Sequence, residues 1–205
     1  MVDDDLYHMS EALGAALVQR GWLVGSAESC TGGLIAGALT AVPGSSAWFD
    51  RGFATYSNQA KIDLLNVQPH TLAAHGAVSV AVAREMAAGV LAAAPAVTLA
   101  VATTGIAGPG GATPDKPVGM VCFGFARRAH DACPAVAITR YFAGDRARVR
   151  RDSVACALAG LLALARAPMG TMGDWPDFST LTFFDAEDKA RAALSSPLSN
   201  PSSVV

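Results

Sequence analysis

Positive charge is in short supply. The chain has 15 Lys and Arg against 17 Asp and Glu, a net charge of −2, and charged residues make up only 16% of the sequence. That balance removes the basic footprint of a nucleic-acid binder and favours a small molecule as the partner. Cysteine is sparse and dispersed: Cys30, Cys122, Cys133 and Cys156 form no CxxC pair, and His8, His70, His75 and His130 are equally scattered. These spacings exclude a zinc ribbon or a disulfide framework, and with an acidic opening, "MVDDDLYHMS", in place of a basic-then-apolar leader they point to a reduced, cytoplasmic protein. No charge occurs from Met86 to Pro114, yet that run is mostly alanine and glycine and carries Pro95, so it reads as a helix followed by a strand and excludes a membrane span. No internal repeat or heptad pattern is present.

What is abundant is apolar: hydrophobic residues make up 52% of 205, enough to bury a good core in one domain. Leu6, Met9, Leu13, Ala16 and Leu17 recur at helical spacing before Gly21, predicting a helix over 5–20. "WLVGSA" follows as a strand, "GGLIAGALTA" as a helix and "VPGSSA" as a turn. "GFATY" reads as a strand, "SNQAKIDLL" as a helix opening at Ser57 or Asn58, and residues 79–94 as a long helix. The strand "VTLAVATTG", the loop "GIAGPGGATPDKP", two consecutive strands at 118–126 and 134–142, and a helix over 145–167 complete the order. This alternation predicts a three-layer α/β/α sandwich, and the consecutive strands make its mostly parallel sheet a mixed one. Residues 1–167 form the expected domain. Residues 168–205 mix aromatics, acids and prolines without a period and read as an extension, partly disordered at its Ser/Pro end.

Four stretches carry candidate chemistry. In "SAESCTGGLIAGAL", Ser29 and Cys30 fall at the carboxyl end of a strand, where open α/β sheets place ligands. A helix starting at Thr31 would direct the N–H groups of Thr31, Gly32 and Gly33 at a phosphate or an oxyanion. The stretch is neither a P-loop nor a GxSxG elbow, and a small-residue turn chosen for packing is the alternative. In "TYSNQAK", Lys61 falls near the start of a helix, where the dipole disfavours a cation; that effect is under about one pKa unit, so a lysine available as a general base here also needs burial in a cleft. Tyr56 ends the preceding strand, where its hydroxyl is in reach of a serine and a lysine, and Asn58 opens the helix; a surface lysine and a core tyrosine are the alternatives. "TTGIAGPGG", with Thr104, Gly105 and Gly108, makes a loop with few side chains that can set backbone donors against an anionic ligand. In "GDRARVRRD", Arg146 and Arg150 share a helical face and can grip a phosphate or form a solvated basic face.

Together "ESCTGGLIAGALTAVPGSSAWF", "YSNQAKIDLL", "HGAVS", "AREMAAGV", "TGIAGPGG", "KPVGMV" and "FAGDRARVR" resemble, in order and spacing, the CinA carboxy-terminal domain family over about residues 6–166. The resemblance implies an α/β/α sandwich, usually a homodimer, that acts as an amidohydrolase in pyridine-nucleotide salvage. It would convert nicotinamide mononucleotide to nicotinate mononucleotide and ammonia without a metal or other cofactor. Its Ser, Tyr and Lys set maps onto Ser29, Tyr56 and Lys61, and the large amino-terminal domain of full-length CinA proteins is absent, as in the stand-alone deamidase form. The substrate contacts expected from the four stretches above are Thr31, Gly32, Gly33, Asn58, Thr104, Gly105, Gly108 and Arg146. Thr103 departs from the family pattern where an apolar residue is usual, and Gln59 where an acid is common. Two other readings stand beside this one: a nucleotide-binding regulatory module without activity, and a hydrolase that uses Cys30.

Overall fold

Alternating helices and strands wrap a mixed sheet in this computed structural model, which describes residues 2–129, 134–167 and 175–178. Helix α1 (Asp4–Arg20) is capped at one end by the Asp3 carboxylate, which accepts from the Leu6 amide at 3.0 Å, and stopped at the other by Gly21 at φ 62°. Strand β1 (Val24–Glu28) is buried along its whole length, as a central strand covered on both faces must be. After it come α2 (Leu34–Thr40), a 3-10 turn at Ser45–Ala47, β2 (Phe49–Ala54) and α3 (Asn58–Leu65). Next are α4 (Pro69–His75), α5 (Val80–Ala93), β3 (Leu99–Gly105), β4 (Met120–Arg127), β5 (Ala135–Tyr141) and α6 (Arg146–Arg166).

The strand order is β2-β1-β3-β4-β5. β1 pairs in parallel with β2 and with β3, while β4 runs antiparallel to both β3 and β5, so four of the five strands point the same way. The mixed, mostly parallel sandwich expected from the element order is therefore the fold. One face of the sheet packs on α1, α2 and α6 through Leu13, Leu17, Ile35, Phe123, Phe125 and Leu158. The other packs on α5 and its neighbours through Val82, Met86, Val90 and Ala102.

Three elements differ from the sequence expectation. α2 begins at Leu34 rather than at Thr31, because Gly32 (φ 60°) and Gly33 (φ 96°) adopt left-handed backbone that a helix cannot contain. α4 was not foreseen, although Pro69 at its first turn is a helix-start residue. β2 spans Phe49–Ala54 and so starts earlier than "GFATY" suggests and ends before Tyr56.

Distant side chains complete several helix ends. The Glu85 carboxylate on α5 accepts from the Gln68 amide at 2.9 Å and the Thr71 hydroxyl at 2.7 Å, closing the start of α4. Arg128 donates to the carbonyl of Leu91 in the last turn of α5 and to those of Ala94 and Val97 just beyond it, where free carbonyls and the dipole favour a cation. From the carboxy-terminal extension, Phe178 is buried and stacks on Phe125 with ring centroids 4.8 Å apart. The other residues of 168–205, apart from 175–178, lie outside the described residues, as do His130 and Cys133.

α5 lies close on β4 because Gly124 has no side chain: a Cβ there would meet the Ala83 carbonyl oxygen at 2.0 Å. Gly124→Ala should therefore push helix and strand apart and destabilise the protein by about 1–3 kcal/mol, read as a lower urea midpoint.

Candidate active site

The chain leaves β1 towards β2 on one side, while β3 pairs on its other side, so a crevice opens past the carboxyl ends of β1 and β3. A cleft of about 220 Å³ lies there. Ser29 and Cys30 enter it from the end of β1, Thr104 and Gly105 from the end of β3, and Ala107 from the loop beyond. Tyr56, Asn58 and Lys61 come from the β2–α3 turn, Ala77 and Val78 from the segment before α5, and Arg146 from the first residue of α6.

The side chain of Lys61 is the largest of the buried ionisable groups in the cleft, only 1% exposed. The Ser57 hydroxyl caps α3 by accepting from the Ala60 amide at 3.0 Å, so Lys61 sits just past the first turn, and helical side chains lean back towards the helix start. Its Nζ thus reaches the carbonyls that precede the helix, 2.8 Å from Thr55 O and 3.5 Å from both Tyr56 O and Ser57 O. The remaining contact is to Ser29 Oγ at 3.1 Å. Loss of solvation by burial lowers the Lys61 pKa from its ordinary 10.5, with a smaller opposing effect from Cys30. This is the burial in a cleft that the sequence reading required in addition to the weak helix-dipole effect.

Ser29 is held from two sides. Its amide donates to Thr103 O at 3.0 Å, continuing the β1–β3 pairing by one residue. Behind it, Arg150 on α6 donates to Cys30 O at 3.1 Å and Thr31 O at 2.8 Å, which makes Arg150 a brace for the turn and not part of a phosphate clamp. Thr31 is buried with its hydroxyl 2.8 Å from that of Thr103, so the unusual threonine before "TG" has a partner.

The helix start after Ser29 is already filled. The buried Glu28 carboxylate accepts from the amides of Gly33 (2.9 Å), Ile35 (3.0 Å) and Ala36 (2.8 Å), and from the Ser26 hydroxyl at 3.3 Å. The Gly33 amide is therefore not free for a ligand, which corrects the expectation of an open amide cradle over Thr31, Gly32 and Gly33; none of the three lines the cleft.

Tyr56 is 64% exposed at the cleft edge. Its hydroxyl accepts from Arg146 Nη2 at 3.2 Å rather than linking Ser29 to Lys61, which touch directly. Arg146 also donates through Nη1 to Gly108 O at 3.0 Å, so Gly108 enters the site through its carbonyl. Thr104 donates to Ala77 O at 2.8 Å and ties two walls of the cleft together. Among the described residues no group of three or more His, Cys, Asp or Glu side chains could hold a metal ion, and no helix is long and apolar enough to cross a membrane.

The CinA C-terminal domain family matches residues 6–165. The chain belongs to that family. A nicotinamide-nucleotide amidohydrolase PncC from Enterobacter agglomerans is 52% identical over 158 residues, 77% of this chain and 94% of the relative. The PncC of the same description from Escherichia coli K12 is 51% identical over 163 residues, 78% and 95% of the two chains. The crystal structure of the competence/damage inducible protein CihA from Agrobacterium tumefaciens superposes with a TM-score of 0.75 at 44% identity, covering 80% of this chain and 98% of that one.

In this CinA-type domain, sequence reading misses the part played by Glu28 and the wall formed by Ala77 and Val78, and it offers Arg150 as a phosphate ligand where the structure makes it a brace. Glu28 reaches five to eight residues ahead, a spacing no local capping motif uses, and the targets of Arg150 lie about 120 residues away. Only the "HGAVS" stretch gave a sign of Ala77 and Val78.

Cys30 borders Ser29 but is a poor nucleophile. Burial pushes its thiol up to about 11, which leaves on the order of one thiolate in a thousand at pH 8. The folded protein should resist iodoacetamide at Cys30 under those conditions and react at an ordinary rate once unfolded, measured by mass spectrometry of the peptide that carries it.

Proposed function

We propose that this protein hydrolyses the carboxamide of nicotinamide mononucleotide to give nicotinate mononucleotide and ammonia. The observation that carries the reading is the 3.1 Å contact between Ser29 Oγ and a buried Lys61 Nζ. That relatives about half identical over nearly their whole length are nicotinamide-nucleotide amidohydrolases by name supports the substrate.

An amide is a weak electrophile, so its hydrolysis needs an activated nucleophile, a site for the oxyanion and a proton for the departing amine. Lys61 as a neutral amine has two N–H groups for the carbonyls behind it and a lone pair for the Ser29 hydroxyl. Ser29 Oγ attacks the carboxamide carbon and its proton passes to Lys61. The backbone amide of Cys30, next to Ser29 at the cleft wall, is the donor assigned to the oxyanion in this reading. The tetrahedral intermediate collapses as Lys61 returns the proton to nitrogen, the C–N bond breaks and ammonia leaves. Water then attacks the acyl ester by the same proton path and frees Ser29. Asn58, Thr104 and Gly105 flank the ring and ribose, Arg146 receives the 5′-phosphate, and Tyr56 assists from the cleft edge. The reaction requires no metal, and the enzyme works as a homodimer in the cytoplasm.

The purified protein should release ammonia from nicotinamide mononucleotide, and Ser29→Ala and Lys61→Ala should each lower the rate by on the order of a thousandfold or more. Cys30→Ala should retain most of it; a folded Cys30 variant that alone is inactive would assign the attack to sulfur. A protein that binds the mononucleotide without releasing ammonia would instead be the regulatory module.

The sign of the pH dependence follows from Lys61. Its active form is neutral, so the rate should rise with pH along a limb whose midpoint lies below the ordinary 10.5. The unfolded lysine binds its proton more tightly than the folded one. Stability lost through this burial is therefore fully lost at low pH and recovered as pH rises towards 10.5. Measuring kcat/KM and the urea midpoint across pH 6–10 tests both statements.

A further inference from the structure

We infer that the Tyr56 hydroxyl and the Arg146 guanidinium form one coupled subsite for the 5′-phosphate at the mouth of the cleft, and that Tyr56 sets substrate specificity instead of relaying the Ser29 proton. The inference rests on the proposed reaction for the identity of its anion. It starts from where the hydroxyl is: against Arg146 Nη2 at 3.2 Å, on a side chain that is mostly exposed, while Ser29 and Lys61 contact each other without an intermediary.

The alternatives for an anion within this cleft are closed. The start of α2, the backbone feature nearest Ser29, holds the Glu28 carboxylate, which would repel a phosphate and already takes the amides of Gly33, Ile35 and Ala36. Arg150 is engaged with the carbonyls of Cys30 and Thr31. Lys61 is buried against three carbonyls and Ser29. Among the cations lining the cleft, Arg146 is the one at its exposed edge, and its two bonds there are to neutral oxygens, Gly108 O and Tyr56 Oη.

Those two bonds come from opposite walls, the glycine loop after β3 and the turn before α3. They hold a long, flexible side chain in place before substrate arrives, which lowers the ordering cost of binding. The remaining N–H groups of the fork are left for phosphate oxygens. By accepting from Arg146, the Tyr56 hydroxyl keeps its own proton to donate, so guanidinium and phenol can bind one phosphate together. The two residues should then act as a unit.

The test compares wild type with Tyr56→Phe, Arg146→Ala and the double variant. It reads kcat/KM on nicotinamide mononucleotide and its riboside, and the affinity for ribose 5-phosphate by calorimetry. Tyr56→Phe keeps the exposed ring, so folding should be unaffected, as a thermal melt will show. The expected result is that each single variant loses roughly tenfold or more of the preference for mononucleotide over riboside and weakens ribose 5-phosphate to a similar degree. The double variant should lose little beyond Arg146→Ala alone, since the two act together. Equal losses on both substrates in Tyr56→Phe would make it a proton relay and overturn the inference. Independent, multiplying losses would overturn the coupling, as would a Tyr56→Phe protein with the wild-type preference and affinity. If wild type releases no ammonia, the proposed reaction falls, and the subsite is judged by ribose 5-phosphate alone: weakening in both single variants supports it, and unaltered affinity in either overturns it.

Discussion

The Glu28 carboxylate is the constraint on which the site is built. It ends β1 and, without reaching solvent, binds the first amides of α2, so strand and helix are joined by a side chain across a turn that cannot itself be helical. Between these anchored ends lie Ser29 and Cys30, with two left-handed glycines absorbing the change of direction. Removing such a carboxylate would leave several buried amides unpaired, each at a cost of about 1–3 kcal/mol. The turn's rigidity thus comes from an internal anion, and that anion also denies the helix start to any ligand.

A second constraint is complementary. Lys61 is enclosed, yet the groups around it are chiefly backbone carbonyls and a serine hydroxyl, with no carboxylate among its bonds. A carboxylate partner would hold the ammonium form and leave it a poor base. Carbonyls satisfy its N–H groups while the lost hydration favours the neutral amine. The fold therefore treats two buried ionisable groups differently: Glu28 binds backbone amides, and Lys61 is set against carbonyls and a hydroxyl.

α6 couples these features to the cleft's outer edge. Its first residue, Arg146, reaches the glycine loop and Tyr56, and one turn later Arg150 grips the carbonyls of the Ser29 turn. A single helix thus positions both the Ser29 turn and the mouth of the cleft. Two arginines of one helical face take different tasks because one meets carbonyls in a closed space and the other meets an open edge.

Much of this was legible in the chain itself. Apolar periods located all five strands and the long helices, since burial of a face imposes its spacing on the sequence, and the motif order placed Ser29, Tyr56, Asn58, Lys61, Thr104, Gly105 and Arg146 at one cleft. What the chain could not disclose was every interaction made by a side chain at a distance. Glu28 and Glu85 start α2 and α4 in place of local caps, so the onset of one helix was misplaced and the other was missed. The position of Lys61 at a helix start is legible in the sequence, but the enclosure that lowers its pKa is a property of packing that only the tertiary structure supplies. The direction of the Tyr56 hydroxyl was equally beyond the sequence, because Arg146, ninety residues away, determines it. Local patterning determined which elements exist and which residue types meet; only the tertiary structure decided which polar group satisfies which, because that depends on atoms brought together by the sheet order.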